Sequence, residues 1–236
     1  MSSTPRIRKE RLDRVLLLQG LVHSREAAAR AVLAGGVSVD GIMVDKPAKL
    51  VPLDARIEVV QPALFVSRSG DKLAAALDAF HIDPHGLIGL DVGCSTGGFT
   101  DCLLQRGATR IYAIDVGYGQ FEWKLRQDSR VVLLERTNIR YVDRATVPGP
   151  IDLAVIDVSF ISLTLVLPAV VGLLNSSATV VALVKPQFEV GKGQVGRGGI
   201  VRDDAQREAV TEKVIACAAQ LGLQLKGVLD SPVIGR

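Results

Sequence analysis

A chain of 236 residues, 48% apolar and 22% charged, has room for one ordinary domain and a small one, and its composition excludes a disordered polymer. Aromatics make up only 4% and Ala, Val and Leu carry the apolar content, which suits buried parallel strands better than a sandwich. The net charge of +3 is unevenly placed: residues 1–60 hold 10 Lys/Arg against 7 Asp/Glu, whereas residues 61–236 hold 18 of each.

Residues 9–20 carry Leu12, Val15, Leu16, Leu17 and Leu18 in a helical pattern. Ser24 is a natural N-cap for a second helix over 25–33, with Ala27, Ala28, Ala31 and Val32 as its buried stripe. Gly35 and Gly36 end it. Two short strands over 37–44 flank Asp40-Gly41, a strong hairpin signal, and a third strand follows over 56–60. The spacing thus predicts a compact α+β module over residues 1–60 and a linker over 61–67, where Pro62 interrupts regular structure.

From residue 68 to 236 a larger α/β domain is expected. A helix begins at Ser69, with Leu73, Ala76, Leu77 and Phe80 on one face. Buried-strand patterns then fall at 87–91, 110–115, 131–134, 151–157, 178–184 and 223–229, and helical patterns at 100–106, 121–126, 163–174 and 204–221. Such alternation implies a doubly wound, Rossmann-like parallel sheet with ligands at the carboxyl ends of its strands. The segment 191–199 holds five glycines with Lys192 and Arg197, the makings of a phosphate-facing lid.

The three cysteines, Cys94, Cys102 and Cys217, show no metal-ligand spacing, and no metal is expected. No charged-then-apolar leader and no run of about 18 apolar residues occurs, which predicts a cytoplasmic protein without a membrane role.

The first strand of the alternating region runs into Asp91-Val-Gly-Cys-Ser-Thr-Gly-Gly98, a glycine-rich turn that opens a helix. The second strand ends at Asp115, about 20 residues on, where a carboxylate can accept both ribose hydroxyls of an adenosine. The turn lacks the GxGxxG pyrophosphate fingerprint, and Asp91 would repel a pyrophosphate while suiting a sulfonium and an ammonium. These residues point to S-adenosylmethionine rather than a dinucleotide.

Arg11-Leu-Asp13, Ser24-Arg25 and the Gly36–Gly41 hairpin resemble the S4 RNA-binding domain. Ser67–Leu73, Asp91–Phe99, Asp115–Gln120 and the run Val184-Lys-Pro-Gln-Phe-Glu-Val-Gly-Lys-Gly-Gln-Val195 resemble the TlyA family, which joins an S4 domain to an FtsJ-like methyltransferase domain. The resemblance implies methylation of ribose 2′-hydroxyls in ribosomal RNA, with ribosomal RNA or ribosomal subunits as partners. It also implies, by motif, that Lys72, Asp157 and Lys185 belong to a catalytic Lys–Asp–Lys–Glu tetrad. Asp91, Gly93, Ser95, Gly97, Gly98, Asp115 and Asn138 would line the cofactor, and Arg6, Arg8, Lys9, Arg11, Arg14 and Arg25 would meet RNA.

A 2′-hydroxyl is a weak nucleophile, so its proton must leave as the oxygen attacks, and a neutral lysine kept uncharged by burial and a neighbouring ammonium can take it. The family's glutamate and last strand lie beyond Arg236, so a sheet without its last strand is expected here. Two rival functions share parts of this pattern: a non-catalytic RNA-binding protein with a degenerate methyltransferase domain, and a membrane-active haemolysin, a label some relatives carry.

Overall fold

The computed structural model describes residues 8–33, 35–59, 64–190, 201 and 203–233. Its contacts divide the chain into two units, residues 1–63 and 64–236.

The first unit is an α+β module. Strand β1 (Lys9–Arg11) leads into helix α1 (Leu12–Leu18), followed by α2 (Arg25–Leu33), β2 (Val37–Val39), β3 (Ile42–Met43), β4 (Leu50–Pro52) and β5 (Ile57–Val59). Leu12, Val15 and Leu16 recur at helical spacing and are fully buried against Ala28, Val32, Val37 and Val51. Ser24 caps α2, its Oγ accepting from the Ala27 amide at 3.1 Å. Asp40 and Gly41 both take positive φ, as a two-residue hairpin turn requires, and β2 pairs antiparallel with β3 and β5. The first helix begins at Leu12 rather than residue 9. Residues 9–11 instead form an antiparallel ladder with β4, which supplies partners for backbone groups that a helix start would leave open.

The second unit runs α3 (Ser69–Ala79), β6 (Ile88–Val92), α4 (Gly98–Gln105), β7 (Arg110–Ile114), α5 (Trp123–Arg126), β8 (Val131–Leu134), β9 (Ile151–Ile156), α6 (Leu163–Leu173), β10 (Leu174–Ala182), α7 (Pro186–Glu189) and α8 (Asp204–Gln220). Five strands form one sheet in the order β10-β9-β6-β7-β8, every pair parallel. Its two faces are covered by separate apolar clusters. Leu73, Leu77, Leu103 and Leu125 from α3, α4 and α5 pack on one, and Val166, Leu167, Val170 and Val214 from α6 and α8 on the other. This is the doubly wound, Rossmann-like architecture the alternation implied, with a small α+β module ahead of it. The chain leaves β6 toward β7 on one side and returns through β9 and β10 on the other, so the strand order reverses between β6 and β9. Ligands bind at such switch points.

Residues 223–230 form no strand. A ladder exists only with a neighbour to pair with, and this segment has none among the described residues. Leu225, Val228 and Leu229 are exposed in it, while Gly227 lies close against the Phe80 ring. The glycine-rich stretch with Lys192 and Arg197 lies outside the described residues. No described helix is long and apolar enough to cross a membrane.

Candidate active site

At the switch point a cavity opens, lined by Ser67, Ser69, the turn Gly93–Thr96, Asp157, Ser159 and Lys185. Asp157 directly follows β9, and Lys185 lies three residues beyond β10 as the N-cap of α7. The parallel pairing of β9 and β10 brings these two strand ends together from 28 positions apart. Lys185 Nζ lies 2.6 Å from Asp157 Oδ1 and donates to Ser159 Oγ at 2.9 Å. Both charged side chains are largely sheltered from water.

The two loops that carry them are tied by Glu189. Its buried carboxylate accepts from the Leu163 amide at 2.6 Å and from Ser162 Oγ at 2.5 Å, at the N-terminus of α6, where the helix dipole favours negative charge. A second tie is aromatic: the rings of Phe160 and Phe188 stand 5.0 Å apart. Phe160 adopts φ of +64°, a strained conformation for a bulky residue, and the turn it makes places Ser159 beside Lys185. Glu189 is thus a structural clamp. Nothing in the spacing singles out Ser159 or the capping role of Glu189, because neither belongs to a periodic pattern.

Lys72 lies in the first turn of α3, which also supplies Ser69 to the cavity, but it takes part in none of the ion pairs or hydrogen bonds found among the described residues. The structure brings Asp157 and Lys185 together and leaves Lys72 apart from them. Asn138 caps a single 3-10 turn over Ile139–Tyr141, its side-chain oxygen accepting from the Arg140 amide at 3.1 Å.

The glycine-rich turn has strong local reasons for its glycines. Gly93, at φ +84°, would place a Cβ 2.7 Å from the Asp157 carbonyl oxygen. A Cβ on Gly97 would meet Leu125 at 2.5 Å, and one on Gly98 would overlap Ser69 Oγ and Ser67 Oγ. These residues let β6, β9, α3, α4 and the segment around α5 approach closely; the cavity wall itself is formed by Gly93, Cys94, Ser95 and Thr96. Asp115 pins that wall from β7, one oxygen accepting from the Ser95 amide at 2.8 Å and the other from the Gly117 amide at 2.6 Å.

Asp91 is fully buried at the end of β6. Its Oδ2 accepts from Thr100 Oγ1 at 2.6 Å, and its Oδ1 has no partner. Burial pushes its carboxyl up to about 7, against the opposing Thr100 hydrogen bond and with help from Asp157 and Asp115. A raised carboxyl pKa means the folded chain holds a proton that the unfolded chain releases. Asp91 therefore costs stability as pH rises from the usual carboxylate range toward 7. Burial also pushes the Cys94 thiol far up and the Cys102 thiol to about 12, so both stay protonated and unreactive.

In the first unit, the basic residues sort into two kinds. Arg8 and Lys9 are exposed, and Arg14 pairs only with Glu10 at 3.1 Å on the surface. Arg11 and Arg25 instead converge on one buried carboxylate, Asp13, at 2.8 and 3.1 Å, while their own side chains stay about half exposed. Arg11 is bidentate there, through Nε and Nη2. Its hydrogen bonds, with those of Arg25, overcome burial and hold the Asp13 carboxyl down at about 2. Arg6 lies outside the described residues.

The depressed Asp13 value contributes stability that is fully present above about pH 4 and is lost as pH falls through about 2. Allowing for the half-exposed guanidiniums, its size is of order 1–2 kcal/mol. Asp13→Asn is accordingly expected to lower the unfolding free energy of the first unit by about that amount at pH 7, in denaturant titrations. The difference from the unsubstituted chain should vanish near pH 2. An equal loss at both pH values would assign the effect to packing instead.

The FtsJ-like methyltransferase family matches residues 65–236, and the S4 domain family residues 10–57. The chain is 49% identical over 230 residues to the 16S/23S rRNA (cytidine-2′-O)-methyltransferase TlyA of Mycobacterium tuberculosis, covering 97% of this chain and 86% of that protein. It is 41% identical over 226 residues to Hemolysin A of Brachyspira hyodysenteriae, with 95% of this chain and 94% of that one covered. A solved structure of a hemolysin-named protein from Streptococcus thermophilus superimposes with a TM-score of 0.72 at 44% identity, covering 98% of this chain and 85% of that one.

Proposed function

The chain belongs to the TlyA family of FtsJ-like methyltransferases that carry an S4 domain, and from that membership we propose that it methylates ribose 2′-hydroxyls of ribosomal RNA with S-adenosylmethionine as donor. The observation that carries the reading is the sheltered Asp157–Lys185 pair at the carboxyl ends of adjacent strands, facing the Gly93–Thr96 turn across one cavity.

The residues present fit the cofactor. Asp91 Oδ1 is a buried acceptor without a partner, and its carboxyl is costly to ionise until a cation lies near it. A sulfonium or an ammonium meets that need, and a pyrophosphate does not. Asp115 keeps a free lone pair on each oxygen after accepting from Ser95 and Gly117, enough for two ribose hydroxyls. When bound, S-adenosylmethionine supplies a methyl group already activated by its sulfonium.

The chain's own residues supply position and proton transfer. Lys185 Nζ accepts the proton of the 2′-hydroxyl, and Asp157 at 2.6 Å balances the positive charge that arrives with it. Glu189 and the Phe160–Phe188 contact hold the two loops in register, so that little motion separates the resting site from the reacting one. Lys72, on the first turn of α3, supports the site by its charge. We assign the module over residues 1–60 to RNA binding, with residues 61–67 as linker and 68–236 as the methyltransferase domain.

Mapping 2′-O-methyl groups on ribosomal RNA treated with and without the protein tests the reading, and an unchanged map would overturn it. The cofactor assignment has its own test in calorimetry. Asp115→Ala is expected to weaken S-adenosylmethionine binding by about 1–3 kcal/mol, a factor of roughly 5 to 150 in Kd, since it removes a two-point acceptor for ribose and unpins the Ser95 amide of the cavity wall. NAD should not bind at all; binding of NAD tighter than S-adenosylmethionine would exclude the assignment.

A further inference from the structure

We infer that Ser159 is a positioning residue for Lys185, its hydroxyl accepting the hydrogen bond that, beside the Asp157 carboxylate, aims the lysine's lone pair at the substrate. The inference rests on the reading of Lys185 as the proton acceptor.

A neutral lysine amine has two N–H donors and one lone pair, arranged tetrahedrally about Nζ with the carbon stem. With Asp157 alone as neighbour, the amine could turn about its Cε–Nζ bond and present either the second N–H or the lone pair to an incoming hydroxyl. Ser159 Oγ accepts one N–H at 2.9 Å, while Asp157 Oδ1 stands at 2.6 Å in ion-pair contact without being aligned as a hydrogen-bond acceptor. The carboxylate repels a lone pair and attracts an N–H, so with Ser159 holding the first N–H the second turns toward Asp157 and the lone pair is left for the remaining direction. Asp157, Ser159 and Lys185 all line the same cavity, so the ribose hydroxyl arrives where that lone pair is held. The 2′-O–H bond then breaks, its electron pair staying on the oxygen; that oxygen would bond to the methyl carbon of S-adenosylmethionine as the carbon–sulfur bond breaks and its electron pair returns to sulfur, with S-adenosylhomocysteine as the leaving group. The proton forms the third N–H bond of an ammonium. That ammonium keeps the Ser159 hydrogen bond and gains the full attraction of the Asp157 carboxylate, so the same two neighbours stabilise the product state.

Ser159 can do this because its loop is held at both flanks. On one side Asp157 closes β9, and its amide donates to the Val92 carbonyl at 2.9 Å. On the other, Phe160 at positive φ packs on Phe188, and Ser162 is fixed by Glu189. Ser159 itself is exposed and covers no core, so removing its hydroxyl leaves the packing unchanged.

The test uses the full chain with ribosomal RNA and S-adenosylmethionine. Ser159→Ala is expected to lower kcat roughly tenfold while leaving KM for RNA and Kd for the cofactor within about twofold, and Ser159→Thr, which keeps a hydroxyl, should recover most of it. A readout independent of turnover is the rate of trace acetylation at Lys185 in the cofactor-free protein, measured by mass spectrometry with Lys124 as internal reference. It should rise about fivefold in Ser159→Ala, the equivalent of one hydrogen bond, and stay unchanged in Ser159→Thr. Normal kcat and normal acetylation in Ser159→Ala, with Lys185→Ala inactive, would overturn the role of Ser159 alone. An active Lys185→Ala would overturn the proton-acceptor reading beneath it. A raised KM for RNA at unchanged kcat would make Ser159 a substrate contact and likewise end the inference.

Discussion

Lys185→Ala is expected to cut RNA methylation turnover by a factor of about 10² or more while leaving S-adenosylmethionine affinity near normal, because general-base catalysis contributes about that much and the lysine does not hold the cofactor. The 2.6 Å contact with Asp157 sharpens the expectation. Removing the lysine takes away the group that receives the proton and leaves the sheltered Asp157 carboxylate alone beside the forming alkoxide, which opposes it. Lys185→Arg should not restore turnover. A guanidinium can pair with Asp157, even bidentately, yet it stays protonated and cannot accept the proton. Single-turnover methylation with cofactor binding measured in parallel checks both variants. Turnover within tenfold of normal in Lys185→Ala would mean that water or another group removes the proton.

A combined Arg8→Gln, Lys9→Gln and Arg14→Gln variant should weaken RNA binding about 10²-fold near physiological salt and flatten the plot of log affinity against log salt by roughly two to three units. The estimate counts one phosphate contact for each removed charge. These three were chosen because none is buried and only Arg14 has an ion pair, an exposed one, so the fold of the first unit should survive. Arg11 and Arg25 are unsuited to the same test, since both hold Asp13 in place and their loss would confound binding with stability. Affinity titrated from low to high salt gives the answer, and an unchanged slope would remove the basic run from the RNA surface.

The doubly wound sheet was legible because an apolar run bounded by turn residues falls in each of its five strands, in β10 only over its second half after the polar residues 175–177, and because the helices between them, α4 and α6 above all, keep their period. What failed did so for definable reasons. Lys9-Glu-Arg11 has neither alternation nor apolar content, and its strand character comes wholly from the distant partner β4. Residues 223–229 have the composition of a strand but no ladder. The one-turn helix α7 carried a readable mark, proline at its first position, yet it is too short for any periodicity.

The site divides in the same way. Asp115 could be read from its distance to the glycine-rich turn. The Asp157–Lys185 pairing rested on the family resemblance, since two residues 28 positions apart meet only through the register of β9 with β10. Ser159 and the Glu189 clamp had no signal at all, because a hydroxyl or a carboxylate acquires such a role only from what stands beside it.

The crowding around the glycine-rich turn has a consequence for how this pocket can evolve. Gly93, Gly97 and Gly98 are each wedged against another element at distances that no side chain tolerates, so a change at any of them shifts the scaffold before it touches a ligand. Between them, Ser95 and Thr96 line the cavity with Gly93 and Cys94, and Cys94 also belongs to a buried apolar cluster. Drift toward a different donor molecule is therefore channelled mainly through Ser95 and Thr96, while the glycines are held by the architecture around them. Architectural constraint and ligand contact thus overlap at Gly93 and part company at Gly97 and Gly98 along a single turn of eight residues, and a loss-of-function screen would score both alike.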